Sequence, residues 1–438
     1  MQPHFPAVIL GGGVAGLAAG IASGAPVFER EASPGGICSS YYMQPGSRVR
    51  ETCEQAQGTA YRFEHGGGHW IFGGHPDMIA LVEKLASCDR HVRRSSVYFP
   101  DDRRFVGFPL QHHLHALEPH VAQAALNELL ASRATDDPTM ERWLAARFGP
   151  TLNELFFAPF HEAYTAGLWR TVAAQDGYKT PLDIAQVVRG ASGLPEPAGY
   201  NTTFLYPREG LDALISRLAT RADIRGSHAV NSIDISARTL VLGDGRTIGY
   251  RTLLSTLPLN RMIELCGLRT QAAVDPHTSV LVLNIGARRG DRCPDDHWLY
   301  ISRSRSGFHR VGFYSNVAEH FLPVERRGRR DAVCIYVERS FVGGTHLASE
   351  EVTRYSTAAI DELKSWGFIE DVDVIDPTWV DVAYTWRIPG SSWVQEATRL
   401  LAAHDIRMVG RYARWQFQGI ADSLRDGFLA GQTLRLHR

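Results

Sequence analysis

The apolar run Ala7-Val8-Ile9-Leu10 opens directly into Gly11-Gly12-Gly13-Val14-Ala15-Gly16, and a small-residue stretch, Leu17 to Ala22, follows at once. A buried strand, a G-x-G-x-x-G turn and a helix in that order form the pattern of a dinucleotide-binding βαβ unit. Each glycine has its own reason: Gly11 permits the tight turn, Gly13 lets backbone approach a pyrophosphate, and Gly16 lets helix and strand pack closely. The helix N-terminus, which begins with Val14 and Ala15, offers unpaired N–H groups and a positive dipole end to phosphate oxygens. A second strand, Ala25 to Phe28, ends at Glu29, about 20 residues beyond the first glycine, where a carboxylate takes up ribose hydroxyls.

Glu29 and Arg30 are followed by Ala32-Ser33-Pro34-Gly35-Gly36. A unit that binds only a nicotinamide has no need of that second glycine pair. The spacing E-x5-GG is similar to that of flavoproteins of the glutathione-reductase type, in which backbone again passes close to FAD. The expected cofactor is therefore FAD, on an α/β fold with a Rossmann-type FAD-binding domain.

With 438 residues the chain is long enough for two or three domains. Its net charge of -1 gives no bulk electrostatic reason to expect nucleic acid or an anionic membrane, so phosphate binding has to be local. Lysine occurs only at 84, 179 and 364, which leaves arginine as nearly all of the positive charge. Arginine suits bidentate phosphate recognition. The six cysteines form no C-x-x-C pair and read as reduced thiols of a cytoplasmic protein. No apolar run approaches the length of a membrane span.

Beyond the fingerprint, residues 76–199 read mainly as helices, with amphipathic stretches over Pro76 to Ser87 and Val121 to Ser132 and a capped stretch from Asp137 to Gly149. Ala229 to Leu257 alternates strongly around Gly243-Asp244-Gly245 and reads as a hairpin plus a strand, with Val230 at its start on the cofactor side. Several β-rich segments follow between Ser279 and Val337, then a helix to Trp366, a strand from Val380, a last buried strand at Ile406 and a closing helix from about Asp422. The expected organisation is a discontinuous FAD-binding domain (1–75, 200–262 and 400–438), a helical insertion (76–199) and an antiparallel β-sheet substrate domain (263–399).

Several local stretches, taken in chain order, resemble the UDP-galactopyranose mutase family. Gly67-Gly68-His69-Trp70-Ile71-Phe72 resembles its GGHxIF turn, whose histidine lies against the flavin. Phe108-Pro109-Leu110-Gln111 resembles YPFQ, and Tyr164-Thr165-Ala166-Gly167-Leu168-Trp169 resembles YTEKQW. Trp298-Leu299-Tyr300 with Phe308-His309-Arg310 and Ser315-Asn316 resembles WLYF…FYR…SN, and Gly410-Arg411-Tyr412 to Trp415 with Asp422-Ser423 resembles the terminal segment over the FAD pyrophosphate and ribityl chain. The resemblance implies that Arg310 holds a substrate phosphate, that His69 shields or tunes the flavin, and that Phe108, Gln111, Tyr164, Thr165, Trp169 and Phe417 line the substrate site. It also implies that Gly68, Gly410, Arg411, Asp422 and Ser423 hold FAD. Two family tyrosines are replaced, by Phe417 and Val317, and a second phosphate arginine has no match, Lys179 and Arg189 being the nearest cations. Those departures point away from UDP-galactopyranose itself.

In that family reduced FAD acts as a covalent catalyst, forming a glycosyl adduct at N5 while the ring interconverts between pyranose and furanose. The expected activity is a sugar-nucleotide mutase, with a nucleoside-diphosphate sugar as substrate and NADH or NADPH as reductant. Such chemistry requires positioning and charge neutralisation more than an acid/base pair, and the chain has no convincing Ser/His/Asp signature. The alternative is an oxidase or desaturase of the amine-oxidase superfamily, acting on a small molecule by hydride transfer. The His112, His113, His115 and His120 group has no carboxylate at ligand spacing, and no metal is expected.

Overall fold

The computed structural model describes residues 3–54, 58–132, 138–175, 177, 181–196 and 201–436. The strand His4–Leu10 lies at the centre of a seven-stranded sheet, parallel to Val27–Phe28 on one side and to Thr247–Ser255 on the other. Ile224–Arg225 extends the sheet beyond Val27–Phe28. Thr247–Ser255 pairs antiparallel with Thr239–Leu242 at its start and parallel with Ile406–Met408 at its end. The hairpin and strand that the alternation of 229–257 predicts thus lie in the sheet of the fingerprint unit, and Ile406–Met408 lies there beside them.

The helix Val14–Ser23 packs against the closing helix Ile420–Leu436. Their contact depends on small residues: a Cβ on Gly427 would stand 2.2 Å from the Ala15 carbonyl oxygen, and one on Gly431 would stand 2.4 Å from that of Ala19. This close approach brings Gly410 and Arg411, which precede the closing helix, to the mouth of the fingerprint turn.

A second seven-stranded sheet runs in the order Ile369–Thr385, His277–Arg289, Ala332–Val342, Arg310–Phe313, Trp298–Ile301, Ser95–Phe99 and Arg104–Gly107. All neighbours are antiparallel except Trp298–Ile301 with Ser95–Phe99. The described part of 76–199 holds far more helix than strand, as its periodicity predicts, but it also contains three strands that the periodicity does not indicate. Two of these strands complete the large sheet, and the third, Cys88–Val92, pairs with Thr203–Pro207. The β-rich strings Ser-Ser-Val-Tyr-Phe and Arg-Phe-Val-Gly, joined by a turn with Arg103 at φ 54°, account for the difference.

Helices dominate only after residue 110. Pro119–Ala131 and Met140–Leu152 pack together, a π-helical turn spans Asn153–Phe157, and Ala158–Tyr164 continues from it. Gly149, at φ 75°, breaks the second of these just before Pro150. The expected start of that helix at Asp137 lies outside the described residues.

Replacing Gly431 by alanine raises intrinsic helix propensity, yet the methyl has no room against backbone. Gly431→Ala is expected to lower stability by about 1–3 kcal/mol, read as a fall in thermal midpoint. An unchanged or raised midpoint would show that the two helices separate freely.

Candidate functional site

A cavity of about 490 Å³ runs from the fingerprint turn, past the glycine turn at 66–68 and the large sheet, to the helical layer. Its first end is shaped by backbone. Gly11 has φ 92°, and a Cβ there would lie 2.3 Å from Thr256 Oγ1. A Cβ on Gly16 would lie 1.9 Å from the Gly11 carbonyl oxygen, so Gly16 serves helix–strand packing outside the cavity lining. Gly13 is different: a Cβ there meets nothing within 4 Å and would point into open space. No side chain caps the helix that starts at Val14, which leaves its first N–H groups available.

Glu29 is fixed by two backbone donors. The Gly12 N–H donates to Oε2 at 2.6 Å and the Glu31 N–H to Oε1 at 2.9 Å. The Gly35 N–H donates to the Gly12 carbonyl at 2.9 Å, and Gly36 comes within 3.7 Å of Gly13 Cα, measured from its Cβ position. The two glycine pairs are thus laced together, as the E-x5-GG spacing predicts. Gly410 donates to Asp426 Oδ2, and a Cβ on it would touch Ala15. Arg411 hydrogen-bonds the Ala383 carbonyl at 3.1 Å and lies over the Phe417 ring, 4.7 Å from its centroid. An empty space at Gly13, free helix N–H groups and an oriented carboxylate fit the diphosphate and ribose of FAD.

The glycine turn is the middle of the site. The Asn284 amide donates to the Glu64 carbonyl at 3.0 Å, pinning the turn to the large sheet. A Cβ on Gly68 would stand 2.4 Å from Tyr336 Oη, and one on Gly67 would stand 3.3 Å from Glu338 Oε1. His69 follows with Nδ1 3.0 Å from the Gly67 carbonyl oxygen. Burial lowers its pKa to about 4, so at neutral pH the ring is uncharged, with the proton on Nδ1 and Nε2 left as an acceptor.

Across the sheet face, Tyr300, Arg310 and Glu338 stand opposite one another on three adjacent strands. Arg310 Nη1 is 3.4 Å from both carboxylate oxygens of Glu338, and the guanidinium lies 5.7 Å from the Tyr300 ring centroid. Tyr384 Oη is 3.4 Å from Glu338 Oε2, and so is His309 Nε2. Burial pushes the Glu338 carboxyl upward, but Arg310 and then His309 outweigh it and hold the group down to about 2. Burial keeps His309 below the ordinary imidazole range. The Arg310 side chain is 23% exposed, and it lines the cavity.

The far end is aromatic. Phe156 and Phe157 come from the π-helical turn, with Phe160, His161 and Tyr164 from the helix after it, and Trp386 closes the opposite side.

Most residues expected from sequence meet at this one cavity. Gly11, Gly13, Val14, Ala15, Glu29, Gly35, Gly36, Gly68, His69, Gly410, Arg411 and Ser423 line its cofactor side, and Phe108, Tyr164, Arg310 and Phe417 line the rest. Others do not reach it. Gln111 is fully buried and donates to the Pro181 carbonyl. The Thr165 hydroxyl is used within its own turn, donating to the His161 carbonyl and accepting from the Trp169 N–H. Trp169 is a core residue of the helical layer, with Nε1 on Glu162 at 2.8 Å. These three are corrections to the expected substrate set: Thr165 and Trp169 are spent within their own segment, and Gln111 ties its turn to the chain at Pro181. On the cofactor side, Arg30 is exposed and paired with Glu31, Val230 lies on the outer strand opposite Leu242, and Asp422 caps Gly419 and faces His75. Lys179 lies outside the described residues, and Arg189 is paired with Glu196. His113 and His115 bond to backbone carbonyls, and no metal-holding group occurs among the described residues.

Tyr300 stands in a motif without an assigned role, and Tyr336, Glu338 and Tyr384 are not indicated by the sequence motifs. The signal was present in Cys334-Ile335-Tyr336-Val337-Glu338, where the period of two puts Tyr336 and Glu338 on one strand face.

Two predictions follow from this geometry. Gly13→Val has room in the protein and is expected to give a folded chain, by circular dichroism, that carries no flavin absorbance; retained flavin would contradict the placement of the pyrophosphate. His69 and His161 are both held down to about 4 by burial, so the unfolded state binds more protons between there and its ordinary value of about 6.5. Glu64, raised to about 7 by burial, opposes them. The histidines outnumber it, and the thermal midpoint is expected to fall from pH 7 to pH 5.

Comparison with known proteins agrees with this architecture. The flavin containing amine oxidoreductase family matches residues 26–393. Among solved structures, reduced UDP-galactopyranose mutase superposes with a TM-score of 0.82 at 18% identity, covering 100% of this chain and 96% of that one. A putative protoporphyrinogen oxidase from Exiguobacterium sp. 255-15 gives 0.69 at 15% identity, with 100% of each chain covered. Putrescine oxidase bound to putrescine gives 0.61 at 13%, again with 100% of each covered. At these identities the superpositions speak for the fold, and the family match, which spans well over half of the sequence, assigns the chain to the flavin-containing amine oxidoreductases.

Proposed function

We propose that this flavoprotein is a sugar-nucleotide mutase in reaction class, interconverting pyranose and furanose rings on a substrate other than UDP-galactopyranose. The observation that carries the reading is Arg310, a guanidinium lining the same cavity as the fingerprint turn and His69. When bound, FAD supplies an electron-rich ring in its reduced form and a hydride acceptor in its oxidised form. NADH or NADPH is the reductant we propose. The six cysteines are unpaired, and the reading places the enzyme in a reducing compartment, the cytoplasm.

The roles of the chain's own residues follow from their positions. Gly13, the Val14 helix end, Glu29 and Gly35-Gly36 would hold the adenosine diphosphate half of FAD, with Gly410, Arg411 and Ser423 beside it. Neutral His69 offers an acceptor at Nε2 without adding charge. Arg310 donates charge-assisted hydrogen bonds to a leaving phosphate, and Tyr300 supports its plane. Phe108 and Tyr164 give flat surfaces for the nucleotide end, and the aromatic wall excludes water from the reacting sugar.

A second reading, an oxidoreductase acting on a small apolar molecule, is favoured by the same wall of Phe156, Phe157, Phe160 and Trp386. Turnover separates the two. A mutase acts only after reduction and consumes no stoichiometric oxidant, whereas an oxidase forms peroxide as its substrate is consumed. Arg310→Ala is expected to keep bound FAD and to lose at least about 100-fold in kcat/KM, the cost of one preorganised charge donor. Near-normal turnover in that variant would remove the diphosphate from this place.

A further inference from the structure

Arg310, the proposed phosphate donor, does not face the cavity alone. Here Arg310 has a permanent counter-charge, because the register of the sheet places Glu338 directly opposite it on the neighbouring strand. Glu338 is 4% exposed and cannot turn to solvent. Its oxygens stand near Arg310, His309 and Tyr384 at 3.4 Å each. These are long contacts, and Arg310 Nε has no partner among the described residues. The guanidinium is therefore restrained but retains donors for a ligand. Burial keeps His69 and His309 neutral and the Tyr336 and Tyr384 hydroxyls un-ionised at neutral pH; a second guanidinium, that of Arg411, lines the cofactor side of the cavity and lies 5.7 Å from the Tyr384 ring centroid.

We infer that Glu338 is a specificity-determining residue that offsets the charge of Arg310, so that the anchor gains little affinity from added negative charge on the phosphate group and holds a diphosphate only weakly. This rests on the proposed role of Arg310 as a phosphate donor. A phosphate oxygen in hydrogen-bond contact with the guanidinium also lies close to the Glu338 carboxylate, in a cavity wall of low dielectric, and each further negative charge on the ligand meets that repulsion. Weak retention suits a leaving group that has to be held, released and recaptured while a sugar ring rearranges.

UDP and UMP, titrated against the flavin-loaded protein, test the inference by the change in flavin fluorescence or by calorimetry. In the unaltered protein UDP is expected to bind no more than about tenfold more tightly than UMP. Glu338→Gln keeps the shape, removes the charge, and is expected to tighten UDP by about tenfold, with a steeper salt dependence and unchanged flavin absorbance. Arg310→Ala separates the two levels of the argument. If it leaves UDP affinity unchanged, the phosphate reading itself fails. If it abolishes UDP binding while Glu338→Gln leaves affinity unchanged or weaker, Arg310 stands as the anchor and Glu338 is only its brace. Should the Gln variant lose flavin, a UDP-to-UMP preference above about 100-fold in the unaltered protein overturns the inference by itself.

Discussion

Backbone approaching backbone or ring, with no side chain between, is the constraint on which this site depends. It occurs three times. Gly11 and Gly16 let the first strand and helix close on Thr256 and on each other, leaving Gly13 open to the cavity. Gly427 and Gly431 let the closing helix lie on the first one and bring Arg411 to the cofactor end. Gly67 and Gly68 let the His69 turn descend onto Tyr336 and Glu338. A methyl group at most of these positions would push apart two elements whose separation defines the cavity, and close-packed interiors have no slack to absorb it.

From that packing the electrostatics follow. The turn and the large sheet together bury His309 and Glu338 and partly enclose His69, and burial then decides which of them carries charge. The imidazoles become neutral, while Glu338 stays ionised because Arg310 stands across the strand from it. The result is a cavity with a backbone-lined end suited to phosphate and ribose, a neutral histidine in the middle, one compensated ion pair and an aromatic far wall. Arrangements of this kind do their work through position and field rather than through proton relays.

The sequence disclosed the parts of the site that local geometry dictates. The fingerprint, Glu29 and Gly35-Gly36 were legible because a tight turn and a close approach admit few residue types, and the spacing alone placed them together. His69 and Arg310 were legible only through resemblance, since a histidine in a glycine turn or an arginine in a strand has many structural uses. The Glu338 contact was not read, because its meaning lies in the pairing of two strands 28 residues apart, and cross-strand register is a long-range property. Gln111, Thr165 and Trp169 show the opposite limit. Their local pattern resembles a substrate-facing motif, but hydrogen bonds within the turn for Thr165 and Trp169, a distant carbonyl at Pro181 for Gln111, and the helical core take them up. The strands at Ser95 and Arg104 were hidden by the helices around them, and only their place at the edge of the large sheet gives them a function.

The central claim is that Arg310 holds the phosphate of a glycosyl donor within reach of the flavin. A crystal structure of the reduced protein with UDP bound tests it most directly. The account predicts phosphate density in contact with the Arg310 guanidinium, on the side away from Glu338, with the nucleoside extending toward Phe108 and Tyr164. Phosphate bound elsewhere while Arg310 and Glu338 remain a closed pair would contradict it.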